Sequence, residues 1–259
     1  MGHVRLKRLP TTRKWDQVVA LLSSGAPLRD ITKASADAAE NALQYAHRDA
    51  TLANSFWLLT QIPLAARSSD FGEATRALGI EIGSEPTLLE VVAAFSDAVD
   101  RAAAGEGGRT DLGEMAQKAA SESLATVAGA DLPGLFGPTP GDVRLALGKL
   151  AAPDRFARLA RDFFARLTRH HLDYYLSRTL SNHVGPGQAL PTTADHSAFN
   201  VALDLHCREA SRIVEAFAGG WFSKTNYQGG ITPSKARDFV FVALGKISAE
   251  LCKRGAEGA

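Results

Sequence analysis

Apolar residues recur along this chain at intervals of three and four, and almost nowhere at two. That is the period of one helix face, so the pattern predicts an all-α chain, a bundle of about nine helices. Thr11 or Thr12 can cap a first helix whose Trp15, Val18, Val19 and Leu22 share a face before Gly25. A second, alanine-rich helix from about Pro27 to Arg48 carries a thin stripe of Ile31, Ala38, Ala42 and Tyr45. The segment from Ala50 to Ser69 is apolar on nearly all sides and reads as a central helix that Pro63 should bend or end. A short helix is expected around Phe71 to Leu78. It is followed by one near Pro86 with Leu89, Val92, Phe95 and Val99 in register, and by one capped at Thr110.

"DLPGLFGPTPGD" reads as a loop tacked to the core by Leu132, Leu135 and Phe136. From Pro153 towards Thr179 the chain places Phe156, Phe163, Leu167 and Tyr174 on one face, and Arg155, Arg158, Arg166, Arg169 and Asp173 on another. A single long helix is expected from Ala194 to Ala218, and a last one capped by Thr232 carries Val240, Leu244, Ile247 and Leu251. "GEGGR" at 105 to 109 marks a soft boundary between an N-terminal helical subdomain, 1–104, and a C-terminal one, 110–259. One continuous bundle is the alternative.

Composition narrows the function classes. With 45% hydrophobic and 22% charged residues the chain is ordinary globular protein, and a net charge of +1 makes no whole-molecule case for nucleic acid. A local nucleic-acid contact is open through the N-terminal basic patch of His3, Arg5, Lys7, Arg8, Arg13 and Lys14, where no acid precedes Asp16, although a solvated arm has the same composition. Cys207 and Cys252 are far apart and read as reduced thiols. No run reaches the ~18 apolar residues of a membrane span, so the chain reads as cytoplasmic with no membrane partner.

"GGWFSKTNYQGG", 219 to 230, resembles a phosphate loop only at Lys224 and Thr225. Ala218 and Ser223 stand where that loop needs glycines, and no strand precedes it. Gly219 and Gly220 read instead as a helix end. Either Trp221, Phe222 and Tyr227 plug the bundle, or the loop presents Trp221, Lys224, Asn226, Tyr227 and Gln228 to a partner or a base.

Five of the seven histidines lie between 170 and 206. His196 and Asn200 are neighbours one helical turn apart, while His206 falls in the stripe Phe199, Leu203, Ala210, Ile213 and Phe217 and should face the core beside His170, His171 or Tyr174. A site of His171, His183, His196 and Asp204 is the sharper reading, with His183, His196 and Asp204 the catalytic candidates. No metal motif, cofactor motif or nucleophile elbow accompanies them, so the sequence assigns no metal and no cofactor. Two functions follow. The first is a non-catalytic interaction protein, an accessory subunit with a protein partner. The alternative is a helical hydrolase with a histidine-based, metal-dependent or metal-free site between the C-terminal helices.

Overall fold

A computed structural model describes residues 12–105, 108–134, 137–188 and 190–256, without the side chains of 28, 29, 36, 40–45, 178, 252 and 254–256. The basic patch from His3 to Arg8, the loop anchors Leu135 and Phe136, the stripe positions Ala42 and Tyr45, and Cys252 lie outside that description.

Among the described residues the regular structure is helical, apart from one isolated bridge between Val184 and Leu190. The described residues form eleven α-helices: α1 (Arg13–Ser23), α2 (Leu28–Tyr45), α3 (Ala50–Ala66), α4 (Phe71–Arg76), α5 (Leu88–Gly105), α6 (Asp111–Gly129), α7 (Pro140–Lys149), α8 (Pro153–Leu180), α9 (Thr193–Ala210), α10 (Arg212–Tyr227) and α11 (Pro233–Ala256). Short 3-10 turns follow α2 and α8. Two of the eleven are additional to the helices that the spacing predicts. Helix α7 arises where a loop was expected to continue, because Thr139 and Asp142 form a reciprocal capping box with Pro140 at the first position. Helix α10 arises because the expected helix 194–218 breaks at Ser211, where ψ flattens to −6° and Val214 N–H donates to the Ser211 carbonyl.

Helix α3 is the centre of the larger core and packs on α4, α5, α6, α7 and α11. Pro63 does not end it: α3 continues to Ala66, and Pro63 is buried. Burial of Leu52, Phe56, Leu59 and Ile62 on several neighbours outweighs the backbone donor that proline removes. The start of α3 is tied to that of α6. Asp49 accepts from Leu52 N–H at 2.8 Å and from the Thr110 hydroxyl at 2.5 Å, and Thr110 in turn accepts from Gly113 N–H at 2.9 Å. On α5 the buried line is Val91, Ala94, Phe95, Ala98 and Val99, whereas Leu89, expected in that line, is 77% exposed.

Two apolar clusters form. The larger draws on α3, α5, α6, α7, the first half of α8, α10 and α11. The smaller joins Trp15, Val18 and Leu22 of α1 and Ile31 of α2 to Leu172, Leu176 and Leu180 of α8 and Phe199, Leu203 and Cys207 of α9. Residues from both sides of 105–109 enter each cluster. Helix α8, about 42 Å long at 1.5 Å per residue, runs through both.

The start of α8 and the middle of α10 come into close approach. Helix α10 stacks Phe222 on Phe156 with ring centroids 4.0 Å apart, and Gly219 lies against the Pro153 carbonyl. A turn with Gly229 and Gly230 at positive φ, 94° and 88°, leads to Thr232, whose hydroxyl caps α11. The Ile231 carbonyl in that turn accepts from Trp57 Nε1 at 2.8 Å, which anchors it to α3. The expected core of α11, Val240, Leu244, Ile247 and Leu251, is buried.

Candidate functional site

The segment 219 to 230 is a helix through Tyr227 and not a loop. Gly219 and Gly220 do not end a helix in left-handed geometry, because they sit inside α10, where the bulk of any Cβ at 219 would strike Pro153. This separates the five residues expected to act together. Trp221 is half-buried and packs on Phe239 at 4.2 Å and Phe56 at 6.1 Å, against the larger core. Lys224, Asn226, Tyr227 and Gln228 are exposed at the end of α10, with Tyr227 at 92% the only ring of the segment on the surface.

The histidine-rich stretch occupies the second half of α8, the turn after it, and α9. His196 and Asn200 are neighbours, as their spacing predicts, with Asn200 Nδ2 3.3 Å from His196 Nε2. Arg169 reaches across from α8, donating through Nη2 to Asn200 Oδ1 at 2.8 Å and through Nη1 to the Asp173 carboxylate. Since Asn200 Oδ1 accepts from the guanidinium, its amide NH₂ faces His196. The network therefore assigns Nε2 of His196 as acceptor and leaves the proton on Nδ1. Burial raises the Asp173 carboxyl above the ordinary carboxylate range, and Arg169 opposes that rise.

These four residues rim a groove of about 630 Å³ between α8 and α9, floored by Leu176, Leu180, Val184 and Phe199. His171, His183 and Asp204 do not line it. His171 is buried against Tyr175, at 5.1 Å between rings, and burial depresses its imidazole to about 4. Asp204 accepts from Arg208 at 2.6 Å. His206 is half-buried rather than in the core, and Cys207 takes the core place beside Phe199, Leu203 and Ala210. Burial pushes the Cys207 thiol up to about 12, so it is held neutral and unreactive. Among the described residues no three His, Cys, Asp or Glu side chains converge as a metal-ligand group.

A second polar network lies beside the first on the same charged face of α8, turned towards α6. Glu122 of α6 meets Arg166 at 3.2 Å and His170 at 3.1 Å, and Arg166 also binds Asp162 at 2.6 Å. Burial lowers the His170 imidazole, with Glu122 opposing it. Burial also works against the charge on Arg166, but Asp162 and Glu122 leave its pKa raised overall. Every acid here has a basic partner, so the network fixes α6 on α8.

Helix α9 presents a feature that the sequence reading passed over. Besides its buried line it carries Ala194, Ala198, Val201 and Leu205, all exposed, Val201 at 69% and Leu205 at 58%. Their spacing of four, three and four was visible as a second apolar line on a helix already supplied with one.

Comparison with family models, curated proteins and solved structures finds no match for the chain. The class is defined by the fold alone, an all-α multi-helix bundle. Among the described residues no helix is long and apolar enough to cross a membrane.

Proposed function

We propose that this chain is a non-catalytic helical interaction protein, an accessory subunit of a larger protein or protein–nucleic acid assembly. It receives a partner helix on the outer face of α9. The observation that carries the reading is the exposed line Ala194, Ala198, Val201 and Leu205. Single exposed leucines are ordinary on protein surfaces, but apolar residues at alternating four and three spacing form the seam of helix-to-helix packing. The two alanines allow close approach, and the two larger side chains supply the apolar area. Covering Val201 and Leu205 contributes roughly 1–2 kcal/mol each, scaled from full burial of such side chains. The competing hydrolase reading has only His196 of its three candidates at the groove.

The test is native mass spectrometry on protein purified gently from its host. The wild type is expected to carry a stoichiometric protein companion. The double variant Val201→Glu, Leu205→Glu is expected to lose it with thermal unfolding unchanged, because both positions are solvent-facing. Retention of the same companion by the double variant would refute the α9 face as the docking site.

A further inference from the structure

A separate groove of about 410 Å³ lies between the end of α6 and the first half of α8. Val127, Ala130 and Ala165 supply its apolar lining, and four guanidinium groups surround them: Arg155, Arg158 and Arg161 of α8 and Arg208 of α9. One carboxylate, Asp162, lines the groove with them. Both of its oxygens are held, Oδ2 by Arg166 Nε at 2.6 Å and Oδ1 by Arg208 Nη1 at 3.6 Å, so two cations share its single charge.

The other carboxylates that meet these arginines do not line the groove. Asp131 takes Arg155 through Nη1 at 3.0 Å, Glu215 takes Arg161 through Nη1 at 2.8 Å, and Asp204 takes Arg208 through Nε at 2.6 Å. A guanidinium carries five N–H donors. Among the described residues Nε and Nη2 of Arg155 and Arg161, and Nη2 of Arg208, are left unengaged. Arg158 is exposed, and among the described residues no ion pair or hydrogen bond engages it. The outlying carboxylates weaken the field of the groove without occupying these donors. They also hold three of the forks in place before a ligand arrives, which lowers the ordering cost of binding. Carbonyls at the end of α6, which would oppose an anion, already accept from the N–H groups of Ala130, Asp131 and Leu132.

A carboxylate has two oxygens, and one bidentate arginine satisfies both. A phosphoryl group has three terminal oxygens and a charge of about −1.5 to −2 at neutral pH, which suits several forks at once. We propose that this groove binds the phosphoryl group of a small anion, through Arg158 and the unengaged edges of Arg155, Arg161 and Arg208. Its volume falls within the roughly 300–1,000 Å³ typical of small-molecule sites, so there is room for an organic body on Val127, Ala130 and Ala165.

The experiment titrates phenyl phosphate, inorganic phosphate and benzoate separately into the isotope-labelled protein at neutral pH and low ionic strength, following backbone amides of 126–130 and 155–165. Phenyl phosphate is expected to bind saturably at these amides, about tenfold or more tighter than benzoate, the margin of one charged contact. Arg158→Gln, at an exposed position, is expected to weaken it about tenfold with unfolding unchanged. Ala130→Glu, which sets a carboxylate at the groove from an exposed position, is expected to weaken it by as much or more. Phenyl phosphate binding tighter than inorganic phosphate assigns the site to an organic phosphate and equal binding assigns it to the free ion; both uphold the proposal. No saturable shift at these amides up to about 10 mM phenyl phosphate overturns it. So do equal affinity for benzoate and binding undiminished in either variant. The α9 docking face is tested apart from this groove, since its variants at Val201 and Leu205 leave Arg158 and Ala130 unchanged.

Discussion

Two adjacent glycines, Gly219 and Gly220, separate a helical α10 from the loop that the sequence implied. A methyl group at 219 would lie 2.4 Å from the Pro153 carbonyl oxygen and 2.9 Å from its carbon. Cβ atoms essentially never come closer than 3.0 Å, so α8 and α10 must separate by at least 0.6 Å at this point. A gap of that size forfeits roughly a quarter or more of the dispersion energy across the seam, and the seam holds the Phe156–Phe222 stack. Overpacking of this kind costs about 1–3 kcal/mol, and the better helix propensity of alanine returns about 1. Gly219→Ala is therefore expected to destabilise by up to about 2 kcal/mol. At Gly220 nothing lies within 4 Å of the added methyl, and only the propensity gain remains, so Gly220→Ala is expected to stabilise by about 0.5–1 kcal/mol. Urea unfolding followed by far-ultraviolet circular dichroism reads both. Equal effects of the two substitutions, or destabilisation by Gly220→Ala of the size expected for a left-handed glycine, would refute the helical assignment.

Acid should act through His171. Burial depresses its imidazole to about 4 from an ordinary 6.5, so the unfolded chain takes up a proton that the folded chain refuses. The stability this contributes is present above pH 6.5 and is lost as pH falls towards 4, amounting to about 3 kcal/mol at 1.36 kcal/mol per pH unit. His171→Leu is expected to remove about 2 kcal/mol of the loss between pH 7 and 5; an unchanged slope in the variant would show that the imidazole is not buried neutral. At the start of α7, Thr139→Ala removes the capping hydroxyl and is expected to cost about 1 kcal/mol in the same unfolding assay, against no change if 140–149 were loop. Val201→Glu with Leu205→Glu should leave the melting temperature within about 2 °C of wild type while abolishing partner retention.

Periodicity carried the helical class and most helix cores, because a face repeated over three or more turns is a local property. Trp15, Val18 and Leu22, or Val240, Leu244, Ile247 and Leu251, are buried as their spacing predicts. What spacing did not reveal was set by contacts distant in sequence. Pro63 stays helical because α3 is enclosed by five other helices. Gly219 and Gly220 are helical because one of them faces a backbone carbonyl some 66 residues earlier. The break at Ser211 has no glycine or proline to mark it. Helix α7 was legible in principle, from Thr139, Pro140 and Asp142, and was hidden by the prolines and glycines before it. For the candidate site, the pairing of His196 with Asn200 was legible as one helical turn. Arg169, thirty-one positions from Asn200, was not, since only the packing of α8 on α9 brings it there.

The most direct measurement places a photo-activatable benzophenone amino acid at position 201, and in a parallel sample at the exposed Glu114 on α6, in protein expressed in its host. Crosslinking of one protein companion from 201, with none from 114, is the expected result. Crosslinking from both positions alike, or from neither, would contradict a partner docked on the outer face of α9.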